Sequence, residues 1–168
     1  HYAKWNGYKI QDDFTIHKIE NGIDRLIYTD FSFPAFWSPE DSLGKSLLQL
    51  HEPVPKISLP QKTLESCTKH NFVRFVWSLV WEDKLNFHPN QKNQINFNPE
   101  KPDWWIRVER QVIIGFPEID CFLFVSKTFI VRNPKIQELK NTISGMSQEF
   151  KDYKRISKEF EEYLNELS

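Results

Sequence analysis

Two long β-type runs, WWIRVERQVII (104–114) and DCFLFVSKTFIV (120–131), flank Gly115-Phe116-Pro117-Glu118. Such runs, rich in β-branched and aromatic residues and separated by Gly and Pro, predict an antiparallel hairpin. Side chains alternate along a strand, so Trp105, Arg107, Glu109 and Gln111 share one face. Ile106, Val108, Arg110 and Val112 share the other. Charges at alternating positions most often form a solvated cross-strand ladder. Here the partner segment CFLFV is wholly apolar, so at least one face is expected to be buried, with its charges paired or bound to a ligand.

The rest of the chain reads as an α+β fold, an antiparallel sheet with short helices on one side and a C-terminal helical segment. Strands are expected near 14–20 and 24–32, joined by Asn21-Gly22, a hairpin signal, with Pro34 ending the second. Ser38-Pro39-Glu40-Asp41 has the form of a helix start and predicts a helix near 39–50. A second helix is expected near 60–70, then a strand from Phe72 to Trp81 with Val73, Phe75, Trp77 and Leu79 on one face and Arg74 and Val76 on the other. Residues 86–103, rich in Asn, Gln and Pro, read as a loop of a length that is commonly functional or mobile. Beyond Asn133-Pro134, apolar residues from Ile136 to Leu164 recur every three or four positions, a helix or helix pair broken near Ser144-Gly145. The division expected is one domain over 1–168, with a core over 10–132 and the helical segment over 134–168.

Composition narrows the function classes. The 168 residues suffice for one hydrophobic core, and an aromatic fraction of 15% predicts that the core is aromatic-rich. A formal charge of −1 gives no Lys/Arg excess for phosphate, so nucleic acid is not an expected partner. No apolar run reaches the roughly 18 residues that a membrane-spanning helix needs, and mean hydropathy is −0.57. Cys67 and Cys121 stand outside any CxxC spacing and are expected reduced in the interior. No Walker, dinucleotide-binding, nucleophile-elbow or HExxH motif occurs, and no flavin, nucleotide or iron–sulfur site is expected in this chain. The chain begins at His1 and shows no signal peptide or presequence at that end; a soluble protein of the cytoplasm or an organellar matrix is the expectation, and the compartment stays open.

His1, His17, His51, His70 and His88 include no helix-borne metal pair. His51 differs from the others: it ends a helical segment containing Leu47, Leu48 and Leu50 and precedes Pro53-Val54-Pro55, which stiffens the backbone. An imidazole held rigidly among aliphatic and aromatic groups is what haem iron requires. The plainer role is a histidine meeting the carbonyls of a helix end. In the hairpin, an arginine fork matches a carboxylate such as a haem propionate. A buried glutamate could hold an amine cation or relay protons.

The order of blocks is then informative. IQDDFTIHKI, FSFPAFW, DSLGKSLLQLHEPVPKI, VRFVWSL, WIRVERQVIIGFP with CFLFVSKTFI, and QEFKDYKRI resemble the successive blocks of the haem-dependent oxidative N-demethylase α-subunit family, over roughly residues 10–156. The resemblance implies a PAS-like fold, b-type haem, and oxidation of a small secondary amine by oxygen, with electrons supplied by flavin and iron–sulfur partner subunits. It implies His51, matching the family's HxPVP histidine, as axial ligand to iron; Arg107, Glu109 and Arg110, matching RxERQ, as pocket-lining or haem-anchoring residues, with Glu109 catalytic; and Trp77 as a further cofactor contact. Where family members read RQTLRRLP this chain reads RQVIIGFP, and the usual Asn-Trp is Val76-Trp77, so a hydroxyl, a basic pair and an amide are absent. Beside an amine monooxygenase or demethylase, two alternatives stand: a haem or gas sensor without turnover, and a structural subunit that keeps the fold alone.

Overall fold

The computed structural model describes residues 3–5, 8–10, 12–91, 96–132 and 135–167. Strands β1 (Ala3–Trp5) and β2 (Tyr8–Ile10) form a two-stranded antiparallel ladder. The main sheet contains β3 (Asp13–Glu20), β4 (Ile23–Asp30), β5 (Phe72–Val80), β6 (Trp105–Phe116) and β7 (Cys121–Val131). Its order is β4-β3-β7-β6-β5 and every pairing is antiparallel.

Local chemistry explains the connections. Asn21 and Gly22 both take positive φ, 52° and 77°, as a tight hairpin with the strands' own twist requires. Between β6 and β7 a 3-10 turn over Pro117–Ile119 is closed by Asp120 at φ 49°. The helix expected near 39–50 is interrupted: a 3-10 turn (Glu40–Ser42) and the four-residue α1 (Leu47–Leu50) are separated at Gly44, whose φ is 81°. That break lets Gly44 N–H donate to Leu26 O at 2.8 Å and Lys45 O accept Leu26 N–H at 2.9 Å, laying the segment along β4. Helix α2 (Gln61–Lys69) follows Pro60 as expected.

The C-terminal segment forms three helices, α3 (Ile136–Ser144), α4 (Gln148–Tyr153) and α5 (Lys158–Glu166), with a second break beyond the one foreseen at Gly145. Ser147 and Ser157 cap the later two by accepting the Phe150 and Phe160 N–H groups. The break expected at Asn133-Pro134 and residues 92–95 of the 86–103 loop lie outside the described residues.

The strand alternation assigns the two faces. Leu79 packs with Trp81, Leu139, Ile143, Ile156, Phe160 and Leu164, flanked by Trp77, Trp104 and Ile106, so the C-terminal helices cover that face. Helix α2 lies against the other face: a Cβ at Gly115 would meet Thr68 O at 2.3 Å. The turn after α4 wraps the edge of β5, where Lys154 Nζ donates to Trp77 O at 2.6 Å and sits over the indole. Both cysteines are buried and unpaired.

Candidate functional site

The face beneath α1 and α2 carries a buried polar seam. Register places Arg74, Gln111, Ser126 and Asp13 side by side from β5 to β3, and Glu109 beside Thr128. Exposure falls to 1% at Arg107 and 9% at Glu109, so these charges meet the condition that buried ions be paired.

Arg107 uses its whole guanidinium. Nε donates to Leu85 O at 3.2 Å, Nη1 to Glu109 Oε1, and Nη2 to Phe33 O and to Thr128 Oγ1. Glu109 Oε2 accepts Gln111 Nε2 at 2.7 Å and Ser126 Oγ at 3.4 Å. Gln111 in turn accepts Arg74 Nε at 2.7 Å, so the chain of contacts runs out to the exposed edge strand. Asp13 accepts the Ser32 and Phe33 N–H groups, each at 2.8 Å, and so fixes the loop whose carbonyl receives Arg107. Burial outweighs those bonds and raises the Asp13 pKa, with Arg107 pulling it down and Asp30 adding to the rise.

His51 caps the C-terminal end of α1. Its Nδ1 lies 2.8 Å from Leu47 O and therefore donates, leaving Nε2 as the bare lone-pair nitrogen. Burial pushes the imidazole below its ordinary pKa; the Leu47 bond opposes this, while Arg74 and His17 push further down. The ring is thus neutral near pH 7 and lies within electrostatic reach of the seam. The pKa of Tyr153, the last residue of α4, is raised by burial first and then by Glu109, with Arg74 opposing. Next to it Arg155 at φ 59° stacks its guanidinium 3.7 Å from the ring centre of Phe36, itself at φ 64°. Two strained non-glycine residues facing each other mark an over-determined junction.

The five residues singled out in the sequence therefore divide. His51, Arg107 and Glu109 belong to one face. Arg110 opposes Phe75 and is exposed on the other, and Trp77 packs under the C-terminal helices. Trp77 lines a groove of about 250 Å³ with Phe75, Ile106, Val108 and Leu139, on the side away from Glu109. Sequence reading gave no role to Asp24, His17, Arg74 or Tyr153. Tyr153 lies in the QEFKDYKRI block, which was the one signal available for it.

Among the described residues no three His, Cys, Asp or Glu side chains gather to bind a bare metal ion. Haem needs less, because the porphyrin supplies four nitrogens and the protein one axial group. A neutral histidine with a fixed Nδ1–H and a free Nε2 has the chemistry of that group.

The chain has an α+β fold whose five-stranded antiparallel sheet carries a buried Arg107–Glu109 pair on one face. The chain belongs to the haem-dependent oxidative N-demethylase, alpha subunit-like family, whose model matches residues 2–164. The family is haem-dependent by description, and its alpha-subunit character implies a multi-subunit assembly. No curated protein matches the chain. No helix among the described residues is long and apolar enough to cross a membrane.

Proposed function

We propose that this chain is a haem-binding, N-demethylase-like domain whose chamber lies between His51 and the Arg107–Glu109–Gln111 seam. Family membership supports haem dependence, and the observation that carries the reading is the His51 ring, neutral and oriented by Leu47 so that Nε2 is free for iron. The order β4-β3-β7-β6-β5, with α1 and α2 inserted between β4 and β5, supports a PAS-like description. Bound b-type haem would supply iron for oxygen and one-electron chemistry, with reduction delivered by a partner subunit.

The chain's own residues do the rest. His51 would hold the iron. Arg107 is spent on Glu109 and on two backbone carbonyls, so it positions the carboxylate rather than clamping a propionate. Glu109 holds the proton or the amine cation of a small secondary amine by hydrogen bonding. Arg110 and Trp77 stand outside this chamber. Because both Glu109 oxygens are already engaged, an amine must displace Gln111 or Ser126, and this favours a second reading: haem sensing without turnover.

Hemin titration of the purified protein tests the first step. A Soret band is expected to grow to saturation and to shift in His51→Ala; no uptake of hemin overturns the reading. Oxygen consumption dependent on dimethylamine, with a chemical reductant, then separates enzyme from sensor. Glu109→Gln is expected to lower that rate about 100-fold, within the range of positioned proton-transfer groups.

A further inference from the structure

Helix α1 is a single turn, far shorter than a helix that persists alone, so tertiary ties decide where its last residue points. A capping box between Ser46 and Gln49 closes its start. The backbone bonds of Gly44 and Lys45 to Leu26 set its approach. One further tie reaches the residue that matters for His51. Asp24 on β4, 2% exposed, uses Oδ2 to accept Leu47 N–H at 2.6 Å, and the same Leu47 presents its carbonyl to His51 Nδ1 at 2.8 Å.

Asp24 is itself held. The same Oδ2 accepts His17 Nδ1 at 3.0 Å, and the His17 ring, 1% exposed, stacks on Phe122 with 4.7 Å between centroids. His17 and Phe122 occupy opposed positions on β3 and β7, two interior strands of the sheet. Strand β3 thus reaches the imidazole through three hydrogen bonds and the backbone of one residue, Leu47.

The geometry points to Asp24, braced by His17, as a positioning residue for His51, one that holds the proton on Nδ1 and keeps Nε2 bare. This rests on the reading of His51 as the iron-binding residue. An imidazole in water prefers its proton on Nε2, the opposite tautomer, so the Leu47 carbonyl must be held in place to reverse it. A purely structural Asp24 would contribute stability without deciding which nitrogen carries the proton.

The test has two readouts. In ligand-free protein with labelled histidine, long-range proton–nitrogen correlation above pH 7 is expected to show His51 protonated at Nδ1. Asp24→Ala is expected to move the proton largely to Nε2, and Asp24→Asn, whose side-chain oxygen still accepts from Leu47, to restore Nδ1. Should Asp24→Ala fail to fold, Asp24→Ser, whose hydroxyl sits one bond short of the Oδ2 that Leu47 and His17 share, takes its place with the same expectation. An unchanged His51 tautomer in the folded variant overturns the proposal. Hemin titration gives the second readout: dissociation constants about 10-fold weaker in Asp24→Ala and near the wild-type value in Asp24→Asn, as for other residues that orient a ligand. Unchanged hemin binding in His51→Ala would sink the iron-ligand reading and leave the tautomer result to decide the role of Asp24.

Discussion

Replacing Arg107 with Met removes a deeply buried cation while keeping most of its volume. The guanidinium is 1% exposed and serves Glu109, Thr128 and the carbonyls of Phe33 and Leu85. Taking one partner from a buried ion pair costs about 3–5 kcal/mol, because the other charge stays desolvated and uncompensated. Glu109 keeps Gln111 and Ser126, which places the expected loss near the lower end, about 3 kcal/mol, a large part of a typical stability of ~5–15 kcal/mol. Glu109→Leu alone is expected to cost about 2 kcal/mol or more, since Arg107 retains its other acceptors. The double variant removes both charges and leaves mainly Gln111 and two carbonyls to re-pair, a cost of about 1–3 kcal/mol. It should therefore fall short of the sum of the singles by about 2 kcal/mol, the size of coupling found between contacting residues. Urea unfolding followed by circular dichroism, with the denaturant slope compared across variants, measures all four proteins. Additive losses, or a loss below 1 kcal/mol in Arg107→Met, would show that the seam is hydrated and that the pair is not the buried anchor described above.

Gly115→Ala would drive a methyl group into the α2 backbone at Thr68 O and Cys67 O, and should cost about 1–3 kcal/mol, read as a lower melting temperature; an unchanged melting point would mean that α2 is not seated on β6. Asp13 has a folded-state pKa above its ordinary 3.8, so the folded protein binds its proton more tightly than the unfolded chain does. The Asp13 contribution is therefore full below pH 3.8 and is lost as pH rises through the raised value. Stability of the wild type relative to Asp13→Asn should accordingly decline from pH 3.8 upward, and a difference that grows with pH would contradict the sign. Ser157→Ala should remove the α5 cap and cost about 1 kcal/mol, measurable by urea unfolding.

Much of the sheet was legible because it rests on local rules. The period-two alternation of β6, the Asn21-Gly22 turn and the Gly115–Glu118 turn region each follow from neighbouring residues, and the five strands of the main sheet fall within a few positions of their expected limits, whereas β1 and β2 were not foreseen. The helix over 39–50 was misread because its Ser38-Pro39-Glu40-Asp41 start was weighed without Gly44, whose left-handed backbone docks the segment on β4. The second break in the C-terminal segment follows from Ser157 acting as a cap, a signal present in the sequence but outweighed by an unbroken apolar period. His51, Arg107 and Glu109 were singled out because their local settings were unusual. Arg110 and Trp77 were grouped with them through the resemblance, although alternation had already separated Arg110 from Glu109 and matched Trp77 with the apolar face of its strand.

Two residues to which sequence reading gave no role, Asp13 and Asp24, share one property: they act through the backbone of a distant segment. Asp13 holds Ser32 and Phe33, and the Phe33 carbonyl receives Arg107. Asp24 holds Leu47, and the Leu47 carbonyl receives His51. In both cases a carboxylate on the β3–β4 hairpin grips the N–H of a residue whose side chain takes no part, so no spacing or residue type at positions 33 or 47 announces the link. Side-chain changes at those two positions should accordingly leave the seam and the His51 tautomer intact provided the backbone keeps its course. Leu47→Met, which retains the N–H, the carbonyl and the apolar bulk, should preserve the Nδ1–H signal of His51 that Asp24→Ala removes. A loss of that signal in Leu47→Met would mean that side-chain packing, not the peptide unit, orients the imidazole.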